Sequence, residues 1–161
     1  MKVTKKQNNS HHCLVCGMQN NLGLKAFFYE TEEKELVSIF TFKKEHESYP
    51  GRAHGGMICS LLDELIGRAY WQIDPNMFGV TISISVKYRK PVPTMKQLKA
   101  VARITSETSR TFEGTGEIVD QNGNVLAEAS AIYMKMPLSR IVVDQEEDKI
   151  DVWVPDDIQD V

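Results

Sequence analysis

The sequence contains few cysteines and no long uninterrupted apolar run. It has three cysteines in 161 residues, so any disulfide pairing leaves one thiol free, which favours a reducing compartment over a secreted, disulfide-linked fold. No apolar stretch approaches the roughly 20 residues that a helix needs to span a bilayer. The polar N-terminus MKVTKKQNNSHH also lacks the apolar centre of a secretion signal. We therefore expect a cytoplasmic protein with no membrane contact.

The sequence also lacks a strong excess of charge of either sign. Its 19 lysine and arginine residues and 22 aspartate and glutamate residues give a formal net charge of −3. The basic residues are scattered along the chain, whereas a nucleic-acid-binding domain gathers them into a stripe or patch. We therefore expect no nucleic-acid partner. With 42% hydrophobic residues, the chain suits one domain with a substantial core.

Composition divides the chain into three segments. Residues 1–12 are polar and basic, and we predict a flexible N-terminal segment there. Residues 13–137 contain the apolar patterns of a folded domain. Residues 138–161 form an acidic C-terminal appendage that retains Trp153, and two behaviours stay open for it: docking through Trp153, or a solvated tail.

Apolar patterns within the domain predict an element order of ββαββββ. The predicted elements are strands at Leu22–Tyr29, Leu36–Phe42, Gly79–Tyr88, Leu98–Ser106, Phe112–Val119 and Val125–Met136, and a helix at Gly56–Trp71. Strict alternation in the third strand places Val80, Ile82, Ile84 and Val86 on one face and Thr81, Ser83, Ser85 and Lys87 on the other. An antiparallel sheet that curls around one helix buries its apolar stripe, so we predict an α+β fold with a curved sheet of about six strands.

The predicted helix combines an apolar face with an unusual opposite face. A helical projection places Ile58, Leu61, Leu62, Leu65, Ile66 and Ala69 together on the core side. The opposite side holds small residues around one carboxylate, namely Gly56, Ser60, Asp63 and Gly67. Because glycine inside a helix costs roughly 1 kcal/mol relative to alanine, close approach of a second backbone or a ligand is the expected compensation.

The glycines that begin this helix predict an oxyanion hole. Gly55 and Gly56 follow His54 at the point where the first helical N–H groups lack partners and the helix dipole is positive. A carbonyl oxygen bound there would be polarised, as acyl transfer requires. Asp63 lies roughly 10 Å further along the helix axis than Gly56, too far to act on the same carbonyl. Two helices packed antiparallel would solve this, so we predict a two-fold dimer with two shared sites.

These motifs resemble those of the hotdog-fold acyl-CoA thioesterases, particularly the phenylacetate-pathway type and the Them-like enzymes. The resemblance rests on HGG-x6-D at His54–Asp63, on the following strand GVTISISVKYRKPVP, and on the flanking stretches CLVCGMQNNLGL and EASAIYMKM. It covers most of the chain but omits the acidic tail. It implies a hotdog fold, hydrolysis of acyl-CoA to free acid and CoA without a cofactor, and a homodimer that assembles into a dimer of dimers.

The resemblance also implies site residues, position by position. Asp63 falls on the family's catalytic carboxylate, either as nucleophile or as general base, and Gly55, with Gly56 beside it, falls on the amide that polarises the thioester carbonyl. Thr81 falls on the hydroxyl that orients water in several members, and His54 on the histidine that shapes the loop. Ser48 stands where the family often has asparagine, so its reach to a carbonyl is shorter.

Substrate contacts are predicted on both sides of this site. Basic residues that suit the phosphates of CoA are Lys87, Arg89, Lys90 and Arg110. Glu64 is a second carboxylate beside Asp63, and Met57 is a candidate pocket wall. The other candidate walls are apolar or aromatic, namely Tyr49, Tyr70, Trp71, Met77 and Phe78, and they suit either aryl or medium-length acyl groups.

Three alternatives stay open from the sequence. A metal cluster could form from His11, His12, Cys13 and Cys16, since the two cysteines are spaced as half of a zinc knuckle. No second pair follows at a suitable spacing, although Cys59 and His46 are present, so a structural turn is favoured. A non-catalytic protein that binds acyl-CoA or acyl-carrier protein would share the fold but would not need Asp63. A hydratase or dehydratase would need an Asp–His pair, for which His46 and His54 are poorly spaced in the sequence.

Overall fold

In the computed structural model, which describes residues 1–143 and 152–161, one helix packs on a single antiparallel sheet. The strands are β1 (Val3–Lys6), β2 (Phe27–Thr31), β3 (Leu36–Thr41), β4 (Met77–Tyr88), β5 (Gln97–Glu107), β6 (Thr111–Val119) and β7 (Val125–Pro137), and the helix is α1 (Gly55–Ala69). Their order across the sheet is β1-β2-β3-β5-β6-β7-β4. This confirms the predicted α+β architecture. No helix in the described part of the chain is long and apolar enough to cross a membrane.

The core lies between α1 and the concave face of the sheet. The predicted apolar face of α1 is buried, including Leu61, Leu62, Leu65 and Ile66, each fully inaccessible to solvent. Burial of each such side chain contributes roughly 1.5–3 kcal/mol. Gly114 of β6 lets the helix approach closely, because a Cβ there would lie 2.6 Å from Cγ2 of Ile66. The distance between helix and sheet is therefore fixed by contact between side chains and bare backbone.

The N-terminal segment is ordered, which differs from the flexible segment predicted for residues 1–12. Val3–Lys6 forms the edge strand β1 and pairs antiparallel with β2, which makes the sheet seven-stranded. Asn9 is completely buried, and its side-chain amide donates to the carbonyls of Cys16 and Ala26 at 2.8 and 2.9 Å. This order depends on hydrogen bonds rather than on an apolar pattern, so composition did not reveal it.

The last ten residues of the C-terminal appendage, 152–161, dock on the N-terminal segment. Backbone bonds join Val152 to Asn9 at 2.9 and 3.0 Å. Asp156 pairs with Lys6 and accepts a hydrogen bond from the Tyr29 hydroxyl at 2.8 Å. Trp153 stays 57% exposed, so docking depends on Asp156 and the backbone rather than on burial of the indole. Of the rest of the predicted tail, residues 138–143 directly follow β7 and residues 144–151 lie outside the described residues.

The alternation predicted for β4 is interrupted by a β-bulge between Thr81 and Ser83. Before the bulge, the Thr81 hydroxyl reaches Asp63 on α1, and after it Ile84 and Val86 pack against the core. Val80 and Ile82, which strict alternation groups with Ile84, are instead 37% and 54% exposed. One extra residue thus brings Thr81 and Ile84 to the same face of the sheet, and the predicted grouping of four apolar residues was wrong.

The buried position of Asn9 generates a test of the ordered N-terminus. Asn9→Asp replaces an amide donor with a carboxylate that faces two carbonyl oxygens, so we expect the free energy of unfolding to fall by about 3 kcal/mol. Urea denaturation followed by circular dichroism measures the change. Asn21→Asp, at an exposed position, is the matched control and should change little. Equal stability of the two variants would contradict the buried placement of Asn9.

Candidate active site

Asp63 is held on the exposed face of α1 by two hydroxyl groups from two different strands. The Thr81 hydroxyl of β4 donates to its Oδ1 at 2.9 Å, and the Tyr133 hydroxyl of β7 lies 3.0 Å from the same oxygen and 2.9 Å from the Asp63 carbonyl. Among the described residues, no group donates to Oδ2. The carboxylate is therefore fixed through one oxygen and offers the other to a reactant.

The surroundings of Tyr133 keep its hydroxyl group protonated, so that it remains a hydrogen-bond donor. Its ring is 1% exposed and stacks on Phe112 at a centroid distance of 4.9 Å. Gly79 of β4 leaves the room for this stack, since a Cβ there would lie 2.6 Å from Phe112 and 3.0 Å from Tyr133. Burial, followed by the negative charge of Asp63, raises the pKa of Tyr133 well above its ordinary value. The phenol therefore stays protonated and directs its hydrogen towards Asp63.

Asp63 borders a cavity of about 280 Å³. Its polar wall includes Glu64, Arg68 and Thr81, and its apolar wall includes Trp71, Phe78 and Leu138. Trp71 and Phe78 meet edge to face at a centroid distance of 4.9 Å. A carboxylate at the junction of a polar and an apolar wall suits a ligand that has a reactive polar centre and an apolar chain.

The N-terminus of α1 lies in a separate environment. The His54 ring caps the helix by accepting from the Gly56 amide at 2.9 Å, and the Tyr88 hydroxyl donates to the Gly55 carbonyl at 2.8 Å. In the residues that the structure describes, the Gly55 amide has no hydrogen-bond partner. Of the two glycine amides, only that of Gly55 is thus available to bind a carbonyl oxygen, because that of Gly56 is already occupied by the cap.

A second cavity, of about 340 Å³, lies beside this helix end. Its lining includes Ser48, Gly55, Arg89 and Lys90, together with Arg52, and none of these residues lines the cavity of Asp63. Within one chain the predicted site residues are therefore divided between two cavities, with the carboxylate in one and the free amide in the other. The two cavities flank opposite ends of β4, at Thr81 and at Tyr88.

The remaining predicted substrate residues already have partners or lie elsewhere. Glu64 accepts from Arg68 Nε at 2.7 Å, so it is paired rather than free as a second catalytic carboxylate. Arg89 pairs with Glu128 at 2.6 Å, and Lys90 donates to Asn124 at 3.2 Å. Met57 packs against the core. Arg110 belongs to the β5–β6 turn and lines neither cavity.

Two functional side chains were missed from the sequence, Tyr133 and Tyr88. Tyr133 ends a run of small, inward-facing residues on β7, namely Ala127, Ala129 and Ala131. A single large residue with a polar tip at the end of such a run was the available signal. Tyr88 ends β4 on the same face as Ile84 and Val86, so alternation indicated its side of the sheet, but a strand pattern alone does not show its contact with Gly55.

Two cysteines border the cavity of Asp63. Cys13 is partly exposed and Cys16 is fully buried. A hydrogen bond with Cys16 lowers the pKa of the Cys13 thiol to about 7, although burial opposes this effect. The same bond and burial raise the pKa of Cys16. His46 and Cys59 are not part of this group, and His46 instead accepts a hydrogen bond from the Lys43 amide and bonds to the Leu22 carbonyl.

Comparison with protein families gives one match that covers the centre of the chain. Residues 50–127 match the profile described as the thioesterase superfamily. Among curated proteins, acyl-coenzyme A thioesterase THEM4 of Mus musculus is 26% identical over 121 residues, which cover 73% of this chain and 51% of that protein. The chain therefore spans about half the length of this relative.

Comparison with solved structures shows the fold. A crystal structure of a thioesterase superfamily protein superposes with a TM-score of 0.70 at 23% identity, covering 77% of this chain and 60% of that chain. A hypothetical thioesterase protein with coenzyme A from Streptococcus pneumoniae gives 0.59 at 22% identity, covering 64% and 79%. The E. coli PaaI protein from the phenylacetic acid degradation operon gives 0.58 at 19% identity, covering 64% and 73%. These structures confirm the predicted hotdog fold. Together with the family profile and THEM4, they confirm the resemblance to the hotdog-fold thioesterases.

Proposed function

We propose that this chain, whose residues 50–127 match the profile of the thioesterase superfamily, hydrolyses acyl-CoA thioesters to a free acid and CoA. The observation that carries the proposal is the geometry of Asp63. Two hydroxyl groups hold one of its oxygens while the other is free at the mouth of a half-apolar cavity. A carboxylate whose role was only to bind a ligand would not need one oxygen held by hydroxyl groups and the other left without a partner.

The reaction needs one carboxylate and one polarised carbonyl. As general base, Asp63 takes a proton from water while the water oxygen attacks the thioester carbonyl, and the proton then passes to the departing CoA sulfur. As nucleophile, Asp63 attacks the carbonyl itself, CoA leaves as a thiol after protonation by solvent, and water cleaves the resulting anhydride. Both routes give acid and thiol in equal amounts. Thr81 and Tyr133 would hold the carboxylate in place in either route.

Carbonyl polarisation is assigned to the Gly55 amide. This N–H is unpaired among the described residues and lies at the positive end of a helix of 15 residues. A thioester oxygen that becomes negative in the transition state gains more from this donor than the ground-state carbonyl does. His54 would contribute indirectly, because its bond to Gly56 fixes the direction of the first helical turn.

The amide that serves a given Asp63 would come from a second copy of the chain. Among the described strands, β4 has only β7 as a neighbour, so the other edge of this twelve-residue strand is unpaired. Antiparallel pairing of two β4 edges around a two-fold axis near Ile84 would bring the Thr81 end of one strand towards the Tyr88 end of the other. That arrangement would join the Asp63 cavity of one subunit to the Gly55 cavity of its partner.

The cavity beside Gly55 also suits the polar part of CoA. Arg52, Arg89 and Lys90 line it, and each offers a cation to a phosphate. Arg89 would have to exchange Glu128 for phosphate, whereas Arg52 is exposed and close to the helix end. The apolar acyl chain would then extend along Trp71 and Phe78 in the other cavity. The two cavities together thus match the two halves of the substrate.

Removal of the charge on Asp63 tests the reaction. We expect Asp63→Asn to lower kcat at least about 100-fold, because the amide can neither accept a proton nor attack a carbonyl. Release of CoA from a panel of aryl and alkyl acyl-CoAs, followed with a thiol reagent, measures the rate. Asp157→Asn, on the exposed C-terminal segment, is the matched control. Full turnover by Asp63→Asn would refute the assignment, and tight binding without turnover by the wild type would favour the non-catalytic alternative.

Mixed dimers test whether the site is shared. Gly55→Pro removes the amide at the first helical position, where proline is tolerated, and Asp63→Asn removes the carboxylate. Each variant alone should be inactive. Unfolding together and refolding as a random mixture should restore about a quarter of wild-type activity, because half of the dimers then contain one intact site.

A mixture of Asp63→Asn with Asp63→Ala is the control, since neither chain supplies a carboxylate. Restored activity in the first mixture and none in the second is the expected result. An absence of restoration from folded, dimeric chains would contradict a site between subunits, and activity of Gly55→Pro alone would contradict the role of the amide.

Tyr133 is expected to position Asp63 rather than to react. Loss of one hydrogen bond to a carboxylate costs about 1.5 kcal/mol, so Tyr133→Phe should lower kcat by roughly tenfold and leave KM unchanged. Steady-state kinetics separates the two constants. Tyr29→Phe is the matched control, because it removes a similar bond, to Asp156, far from the cavity. An equal fall in kcat in both variants, or a rise in KM alone, would contradict the positioning role.

A further inference from the structure

We infer that Cys13, Cys16 and Glu64 form a binding site for a divalent metal ion of the zinc type. The two sulfurs and a carboxylate oxygen lie within 4.8 Å of one another. A tetrahedral zinc ion keeps its ligand atoms roughly 4 Å apart, so the three groups need to contract by less than about 1 Å. Two thiolates and one carboxylate are a donor set that zinc prefers over magnesium or calcium.

The loop that carries the cysteines has the backbone of a thiolate-binding turn. The amides of Val15 and Cys16 donate to Cys13 Sγ at 3.3 and 3.4 Å, and the Gly17 amide donates to the Cys13 carbonyl at 2.8 Å. Gly17 permits this tight turn, because a Cβ there would lie 2.4 Å from that carbonyl oxygen. Donors aimed at a sulfur stabilise its negative form, which is the form that binds metal.

Glu64 adds what the sequence could not show, a third ligand from a distant part of the chain. It lies 48 positions from Cys16, and α1 brings its Oε1 to 3.5 Å from Cys16 Sγ. The same oxygen accepts from Arg68, while none of the described residues donates to Oε2. That second oxygen is available to an ion. This third ligand removes the reason for which the cysteine pair alone was interpreted as a structural turn.

The charges of this group balance when the ion is present. Arg68 is 4% exposed, and its guanidinium donates to Glu64 at 2.7 Å and lies 3.0 Å from Cys16 Sγ. Two thiolates and a carboxylate carry three negative charges, which a divalent ion and Arg68 together neutralise. A buried group of this kind is stable only if its charges are paired. Arg68 would therefore act as the outer hydrogen-bond donor that orients two of the three ligands.

The position of the site predicts an open fourth coordination position. All three ligands line the cavity that also holds Asp63, so the fourth position would face that cavity and take a water molecule. The ion would also join the loop of residues 13–16 to α1. Because such a site is not preformed in the unfolded chain, binding of the ion should stabilise the fold.

The test uses the full chain, purified under reducing conditions, and metal ions alone as probes. We expect about one zinc ion per chain by elemental analysis, and a thiolate-to-cobalt absorption band when the metal-free chain is titrated with Co²⁺. Cys13→Ser should abolish the band, and Glu64→Gln should weaken Co²⁺ binding at least about tenfold. Cys59→Ser, which changes the one remaining cysteine, should retain it. Zinc should raise the Tm of the wild type but not that of Cys13→Ser.

Three results would overturn the proposal. The first is a folded, reduced wild type that binds neither zinc nor Co²⁺. The second is a thiolate-to-cobalt band that persists unchanged in Cys13→Ser, which would show that the ion is bound without Cys13. The third is a mass two hydrogens lower than that of the reduced chain, with no metal taken up after reduction, which would show a disulfide pair instead. None of these readouts depends on thioesterase activity.

Discussion

The close packing of α1 on the sheet is the constraint on which the site depends. Gly114 of β6 brings Ile66 against bare backbone, and Gly79 of β4 leaves space for the stacked rings of Phe112 and Tyr133. Only at this separation does the Tyr133 hydroxyl reach both the carbonyl and the carboxylate of Asp63. A methyl group at either glycine would collide with these side chains and change the spacing. Core packing and carboxylate placement are thus set by the same contacts.

The β-bulge in β4 makes a single strand serve both the core and the site. A regular strand would place Thr81 and Ile84 on opposite faces, so Asp63 would lose a hydroxyl partner or the core would lose an apolar residue. The extra residue removes this conflict and puts Thr81 on the same face as Tyr88, whose hydroxyl donates to the Gly55 carbonyl. The cost is that Val80 and Ile82 become exposed at an unpaired edge. An exposed apolar edge favours association, which agrees with the proposal that the site is completed between two subunits.

The sequence predicted the regular elements well, because the spacing of apolar residues in a helix or strand indicates which face is buried. The helix and five of the predicted strands agree with the structure to within two residues at each end, and the strand predicted at Leu22–Tyr29 runs from Phe27 to Thr31. The features that sequence patterns missed are those fixed by hydrogen bonds between distant residues. Asn9 donates to two carbonyl groups and Asp156 pairs with Lys6. Neither contact produces a periodic pattern in the sequence. The bulge was missed for a related reason, since the strand alternates strictly in sequence and only the packing against α1 breaks the alternation.

Asp63 and Glu64 are consecutive carboxylates, and their surroundings divide their roles. Asp63 receives two neutral hydroxyl donors, which orient the group without cancelling its charge. Glu64 receives the buried guanidinium of Arg68, which cancels its charge and directs it towards the cysteine loop. A base or nucleophile must keep its negative charge available to the reactant, whereas a structural or metal-binding carboxylate must have its charge matched. Because the two side chains point in directions about 100° apart on the helix, one turn of α1 can contribute both to the proposed catalytic site and to the proposed metal-binding site.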